Sequence, residues 1–281
     1  MSDSLAVVGF GSMGSALVAG ALRSNLLSPA SILVLDPDPL ARKRAAALGC
    51  TVTDDPSTLS NASWIAIAVK PQSFPELALK IGTLQPSTMV VSVMAGVSIA
   101  RLQEAFCDDL RCVRCMPNVA AQIGLAVTTY AYSPQCSDGD RDLVLRLLGT
   151  MGTTVHIEEK LFDAATATSG SGPAYLFMLA ESMIESAVRL GFDRSTADRL
   201  VRQALLGAAT LLARGERTPS ELRGMVTSQG GTTSAAMAIF ESHGFQSMMH
   251  DALRAARDRG RDLSSAAAKQ MPQTSGASTT K

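Results

Sequence analysis

The chain has 281 residues, 46% of them apolar, and its 25 basic and 25 acidic side chains give a formal charge of zero. That length supplies core for two domains or one large one. The charge balance excludes binding to nucleic acid or to an anionic membrane through bulk charge, and a small-molecule partner is the better expectation.

Met1 to Gly20 lacks a basic leading region, and Gly9, Gly11 and Gly14 break its apolar run, so it does not read as a signal peptide. No uninterrupted apolar stretch is long enough to cross a bilayer. The expected setting is a reducing compartment, most simply the cytoplasm. SLAVVGF reads as a short buried strand, SMGSALVAGALRSN as a helix, SILVLD as a second strand and PLARKRAAALG as a second helix stopped by Gly49. WIAIAVK and TMVVSVMAG are further apolar strands, with a helical FPELALKIG between them. LRCVRCMPN and LAVTTYAY add two strands, DGDRDLVLRLLGTMG a helix, and TTVHIEE a closing strand near residue 158. Apolar strands alternating with helices indicate a mainly parallel sheet covered on both faces.

The five cysteines are odd in number and irregularly spaced, which argues against a disulfide framework. Cys112 and Cys115 form a C-x-x-C, but in a strand positions three apart point to opposite faces. With no second pair and the histidines distant, no metal site is expected, and the thiols read as buried packing groups.

Gly9-Phe10-Gly11-Ser12-Met13-Gly14 is a G-x-G-x-x-G that follows a strand and opens a helix, the context that makes it a dinucleotide loop. Gly9 permits the tight turn, Gly11 lets a pyrophosphate approach the backbone, and Gly14 lets helix and strand pack closely. Asp36 ends the second strand, where an acidic side chain binds the adenosine ribose 2′-hydroxyl and repels a 2′-phosphate, which points to NADH. Arg42, Lys43 and Arg44 follow on the next helix; they could attract a 2′-phosphate but read more simply as a solvated helix face.

After Lys160 the strands stop. Pro173–Gly191 and 195–214 are long helical patterns, the second opened by an S-x-x-D box of Ser195 and Asp198. SAAMAIFESHG and FQSMMHDALRAARDRGRDLS follow. The first two helices are apolar over most of their circumference, so association between chains is expected to cover them. The domains are therefore 1–158, a dinucleotide-binding unit; 159–265, a helical substrate-binding and dimerisation unit; and 266–281, a disordered tail.

The blocks VVGFGSMGSAL, AVKPQ (68–72), MAGVS (94–98), MPN (116–118), SGSGPAYLF (169–177) and VTSQGGTT (226–233) make the chain resemble the pyrroline-5-carboxylate reductases from Val7 to Leu263. The last two blocks carry most of the specificity. The resemblance implies a Rossmann-type N-terminal domain, an all-helical C-terminal dimerisation domain, homodimers that can assemble into rings, and reduction of 1-pyrroline-5-carboxylate to L-proline by NADH or NADPH. It places Phe10, Ser12, Met13, Asp36, Asp55, Val69, Lys70, Pro71 and Ala95 at the cofactor. It places Glu159, Glu216, Met225, Ser228, Gly230, Gly231, Thr232 and Thr233 at the substrate. Two prolines usual in the family are absent, at Gln229 and Ala120, which frees backbone torsion there and leaves a related cyclic imine open as substrate.

Reduction of a cyclic imine needs hydride donation, a grip on the substrate carboxylate and a donor at the ring nitrogen. The glycines of 228–233 and the following helix N-terminus suit the carboxylate. Thr233 is expected to face the nitrogen and Lys70 to position the cofactor. Plain helix capping remains the other reading of these hydroxyls. A 3-hydroxyacid dehydrogenase would carry an acid–base lysine in the helical half, and there is no lysine between Lys160 and Lys269. A dinucleotide-binding sensor would not need Thr232 and Thr233.

Overall fold

A computed structural model describes residues 4–269. Within them, strands β1 (Leu5–Val8), β2 (Ile32–Leu35), β3 (Thr51–Thr53), β4 (Trp64–Ile67), β5 (Met89–Ser92), β6 (Arg111–Met116), β7 (Ala126–Tyr132) and β8 (Gly152–His156) form one sheet. Its order is β3-β2-β1-β4-β5-β6-β7-β8, and only the β6–β7 pairing is antiparallel. Helices α1 (Ser12–Arg23), α2 (Pro39–Ala47), α3 (Phe74–Ile81), α4 (Ile99–Phe106) and α5 (Asp138–Gly149) connect and cover it. Alternation along the strands divides the interior into two layers. Leu5 and Val7 face a core shared with Leu17 of α1 and Leu147 of α5, while Ala6 and Val8 face one shared with Phe74 of α3 and Leu102 of α4.

The same alternation sends Cys115 into the first layer and Cys112 into the second, so the C-x-x-C is not a pair in space. Burial pushes both thiols far above the ordinary cysteine range.

The helical half contains α6 (Phe162–Ala165), a π turn (Thr166–Gly170), α7 (Gly172–Arg189), α8 (Arg194–Ala213), α9 (Pro219–Met225), α10 (Thr232–Ser242) and α11 (Phe245–Lys269). The chain divides into two compact units, Met1–Ser171 with the segment from Ala256 onward, and Gly172–Ala255. The first unit runs through Ser171, and Phe162 packs, 2% exposed, into the sheet's second core layer. The end of α11 belongs there too, with Gly260 close against the Asp163 carboxylate. The expected tail starts at 266, yet α11 continues to Lys269, since Ala266–Ala268 are strong helix formers. The rest of that tail lies outside the described residues. One cap also differs: Asp193, not Ser195, opens α8, its carboxylate accepting from Thr196 N at 3.0 Å. Asp198 pairs with Arg202 instead.

The Gly172–Ala255 unit has a small core of Ile184, Ala197 and Val201. Phe177, Met178 and Leu206 are 57%, 70% and 61% exposed on α7 and α8. Packing of α7 on α8 within one chain leaves these apolar faces uncovered, which is the signature of a protein–protein contact.

Candidate active site

The ends of β1 and β4 mark the place where the strand order reverses, the crevice in which doubly wound sheets bind ligands. Gly9 N donates to Leu35 O at 2.8 Å, turning the chain away from β1. Gly11 is the N-cap of α1 and brings no capping side chain, so the first-turn N–H groups of α1 stay open to an anion. A Cβ on Gly14 would run into the Gly9 carbonyl, so only glycine allows α1 this close to the loop. Nothing lies within 4 Å of where a Gly11 side chain would be, which leaves space for a bound group. A groove of about 670 Å³ is lined by Gly11, Ser12 and Arg44 together with Ala16 and Leu48. These features fit a dinucleotide pyrophosphate.

Phe10 is not free to reach into that groove. Its ring is 2% exposed in the core, its N–H donates to Asp36 Oδ2 at 2.6 Å, and its carbonyl accepts from Arg44 Nη2 at 3.3 Å. Met13 likewise leans on the first core layer. Both shape the loop, while Gly11 and Ser12 present it.

Asp36 is buried and its Oδ1 accepts from Asp38 N at 2.8 Å, so backbone amides aim both of its oxygens. Lys43 and Arg44 are exposed as the solvated-face reading expects, while Arg42 differs from it. Arg42 donates to the carbonyls of Asp36 and Pro37 and pairs with Asp54 at 3.0 Å, because the open carbonyls of the β2–α2 turn attract a long cationic side chain. Asp55 caps the 3-10 turn Pro56–Asn61, accepting from Ser57 N at 2.9 Å and Ser57 Oγ at 2.7 Å. Those bonds hold its carboxyl below the ordinary range.

Val69, Lys70 and Pro71 leave the carboxyl end of β4 beside the glycine loop: Ala68 N donates to Val8 O at 2.8 Å, and a Cβ on Gly9 would meet Ala68 O at 2.8 Å. Lys70 is exposed at the cap of the next 3-10 turn. Ala95 is exposed in the loop after β5.

The second loop lies in the other compact unit. α9 ends at Met225, 63% exposed, and Thr227 Oγ1 donates back to Arg223 O at 2.7 Å. Gly231 N closes a turn on Ser228 O at 3.1 Å, through Gly230 at φ 71°, a conformation that disfavours any side chain. Gly231 caps α10 with no side-chain hydrogen bond. Capping is therefore not how the hydroxyls of Ser228, Thr232 and Thr233 are used among the described residues. Thr232 is exposed and Thr233 half-buried in the first turn. Glu216 lies in the exposed stretch between α8 and α9.

Glu159 belongs to the first unit, where its Oε1 accepts from Ile99 N at 2.8 Å and from Arg114 Nη1 at 3.2 Å. Sequence reasoning missed Arg114. The signal available was parity, since Arg114 shares a strand face with Cys112 and so had to enter the core. It also gave no role to Asn118, whose Nδ2 donates to Ser169 O at 3.1 Å inside the π turn.

Residues 159–263 match the family model described as pyrroline-5-carboxylate reductase dimerisation, and residues 4–96 match one described as NADP oxidoreductase, coenzyme F420-dependent. The chain is 33% identical over 265 residues to the pyrroline-5-carboxylate reductase of Methanosarcina acetivorans, covering 93% of this chain and 98% of that one. A pyrroline-5-carboxylate reductase structure from Coxiella burnetii superposes with a TM-score of 0.86 at 28% identity, covering 94% and 99% of the two chains. The Plasmodium falciparum pyrroline carboxylate reductase with NADP bound gives 0.84 at 25% identity, covering 93% and 98%. Among the described residues no helix is long and apolar enough to cross a membrane.

Proposed function

The chain belongs to the pyrroline-5-carboxylate reductase family and reduces 1-pyrroline-5-carboxylate to proline with NAD(P)H; from that premise we propose which residues do the work. The observation that carries the assignment is the pair of glycine-opened helix starts, at α1 and at α10, each with first-turn amides free of side-chain caps.

The α1 amides, with Ser12, hold the cofactor pyrophosphate. Val69, Pro71 and Ala95 line the nicotinamide half, and Lys70 positions the ribose beside it. Bound NAD(P)H supplies the hydride. The α10 amides at Thr232 and Thr233 grip the substrate carboxylate, an interaction of about 0.3–1 kcal/mol, up to roughly 2 when partly buried. Ser228 and Thr232 add hydroxyl donors, with Met225, Gly230 and Gly231 forming the wall. Thr233 Oγ1 polarises the ring nitrogen, and Glu216 holds the nitrogen through water while it is cationic. In this reading the reaction is the last step of proline formation, carried out in the cytoplasm. A cuvette assay with NADH or NADPH and pyrroline-5-carboxylate tests it: loss of the reduced cofactor's absorbance supports the reading, and binding without turnover refutes it. Repeating the assay with a six-membered imine reports what Gln229 and Ala120 do to substrate range.

Asp36 favours NADH. Its carboxylate stands where a 2′-phosphate would go and is fixed there by two backbone amides. A hydrogen bond to a charged group contributes about 1.5–3 kcal/mol, so Asp36→Ser is expected to move the NADPH-to-NADH ratio of kcat/KM upward by roughly tenfold or more. Equal ratios in the two proteins would end the ribose assignment. Arg42, at the β2–α2 turn, and Arg44, at the Phe10 carbonyl, are the groups that would receive the phosphate in the variant.

The exposed faces of α7 and α8 form the homodimer contact, and dimers build a larger ring. Phe177→Glu combined with Leu206→Glu is expected to halve the mass seen by light scattering. An unchanged mass would move the contact elsewhere.

A further inference from the structure

We propose that Arg114 is a positioning residue for the nicotinamide half of the cofactor site, acting through Glu159 on the 93–98 loop. The proposal rests on the placement of the nicotinamide over β4 and β5 given above.

Arg114 costs more than its packing returns. It is 7% exposed, on the β6 face that otherwise holds Cys112 and contacts Phe162 and Ile99 of the second core layer. Its guanidinium lies 4.3 Å from the centroid of the Phe162 ring, and its Nη1 reaches Glu159 Oε1 at 3.2 Å. Among the described residues its Nε is buried with no hydrogen-bond partner. A buried ion pair of this kind is often no more stabilising than apolar side chains of the same volume, and an orphaned donor makes it worse. Methionine would fill the space without the ionic cost. The charge is therefore kept for what it holds.

What it holds is Glu159, whose same oxygen accepts the N–H of Ile99, the first residue of α4. A carboxylate there satisfies one of the amides that a helix start leaves open and complements the helix dipole. Ser98 caps the same turn through Arg101 N. At the other end of the loop, Val93 N donates to Ile67 O at 3.0 Å and Met94 N to the buried Ser92 Oγ at 3.3 Å. The loop is thus pinned at both ends, with Ala95 exposed between them. The loop leaves the carboxyl end of β5, next to β4. In a doubly wound sheet that half of the crevice takes the mononucleotide opposite the one at the glycine loop. Removing the Arg114 charge frees Glu159, and freeing Glu159 releases one anchor of the loop.

The test compares two ligands by calorimetry: NADH, which reaches the loop, and ADP-ribose, which lacks the nicotinamide. In Arg114→Met, NADH affinity is expected to fall about tenfold, the scale on which small misplacements of positioning groups act. ADP-ribose affinity stays as in the parent protein. Arg114→Lys keeps the charge beside Glu159 and is expected to recover part of the NADH loss. If Arg114→Met does not fold, Glu159→Ala carries the same expectation, because it removes the acceptor for Ile99 N directly. Equal losses for the two ligands would show a merely structural role and overturn the proposal. Ala95→Trp is the control for the nicotinamide's placement. It should weaken NADH alone, and if it does not, the placement is wrong and the proposal falls with it.

Discussion

Thr233→Ala is expected to lower turnover about ten- to a thousandfold, within or just below the range lost when general acid–base assistance is removed. The residue is the second of α10, half-buried, and its hydroxyl is not spent on capping the helix. A threonine hydroxyl is too weak an acid to donate its proton outright. In the proposed mechanism its contribution is to orient the ring and to stabilise the nitrogen lone pair that appears as the carbon accepts hydride. That interaction is stronger in the transition state than in the bound imine, so it should appear in kcat. The backbone amides proposed to hold the carboxylate survive the substitution, so KM for the imine should change less. Thr233→Ser keeps the oxygen and should keep most of the rate. A Thr233→Ala enzyme with parental kcat would remove this side chain from the mechanism.

Gly14→Ala should be the most damaging single methyl in the sheet unit. Two effects oppose each other. Alanine in place of glycine within a helix gains about 1 kcal/mol from propensity. Against this, the new Cβ would overlap the Gly9 carbonyl and sit 3.4 Å from Ala68 Cβ. The overlapped atom is backbone in a turn that is itself tied to Leu35 and followed by the Asp36 bond, so it has little room to yield. Overpacking of this kind costs about 1–3 kcal/mol, occasionally more, and should exceed the propensity gain. Any relief comes from pushing α1 outward, which moves the amides proposed to face the pyrophosphate. The expected result is a lower urea midpoint together with at least about tenfold weaker NADH binding, as groups displaced by about 1 Å lose most of their worth. A midpoint and an affinity both equal to those of the parent would show that the helix is held less tightly than its contacts indicate.

The parts legible in the sequence are those set by local rules. The glycine loop between a strand and a helix, Asp36 at the end of β2 and the turn at 228–233 all stand where residue type and spacing put them. The opposite facing of Cys112 and Cys115 follows from strand geometry alone. What escaped depends on distant partners. Phe162 and the π turn group with the sheet unit because Phe162 enters a core built from strands and helices far earlier in the chain, which no local pattern shows. Arg42 bends back over the β2–α2 turn and Arg44 reaches the Phe10 carbonyl of the glycine loop, because of carbonyls that only the folded chain presents to them. The three-residue β3 is too short to show alternation, and Asp193 outcompetes Ser195 as a cap because a carboxylate meets the helix dipole better than a hydroxyl. Arg114 was hidden by its surroundings, a lone charge in an apolar strand whose partner is 45 residues away.

The three-residue core of the Gly172–Ala255 unit has a thermodynamic corollary. So few shielded side chains cannot offset the ordering entropy of its helices, and the remainder must come from a second copy of the chain. Resistance to heat then becomes a property of the solution as well as of the fold. Dilution should lower the melting temperature, and Gly172–Ala255 should unfold ahead of the sheet unit.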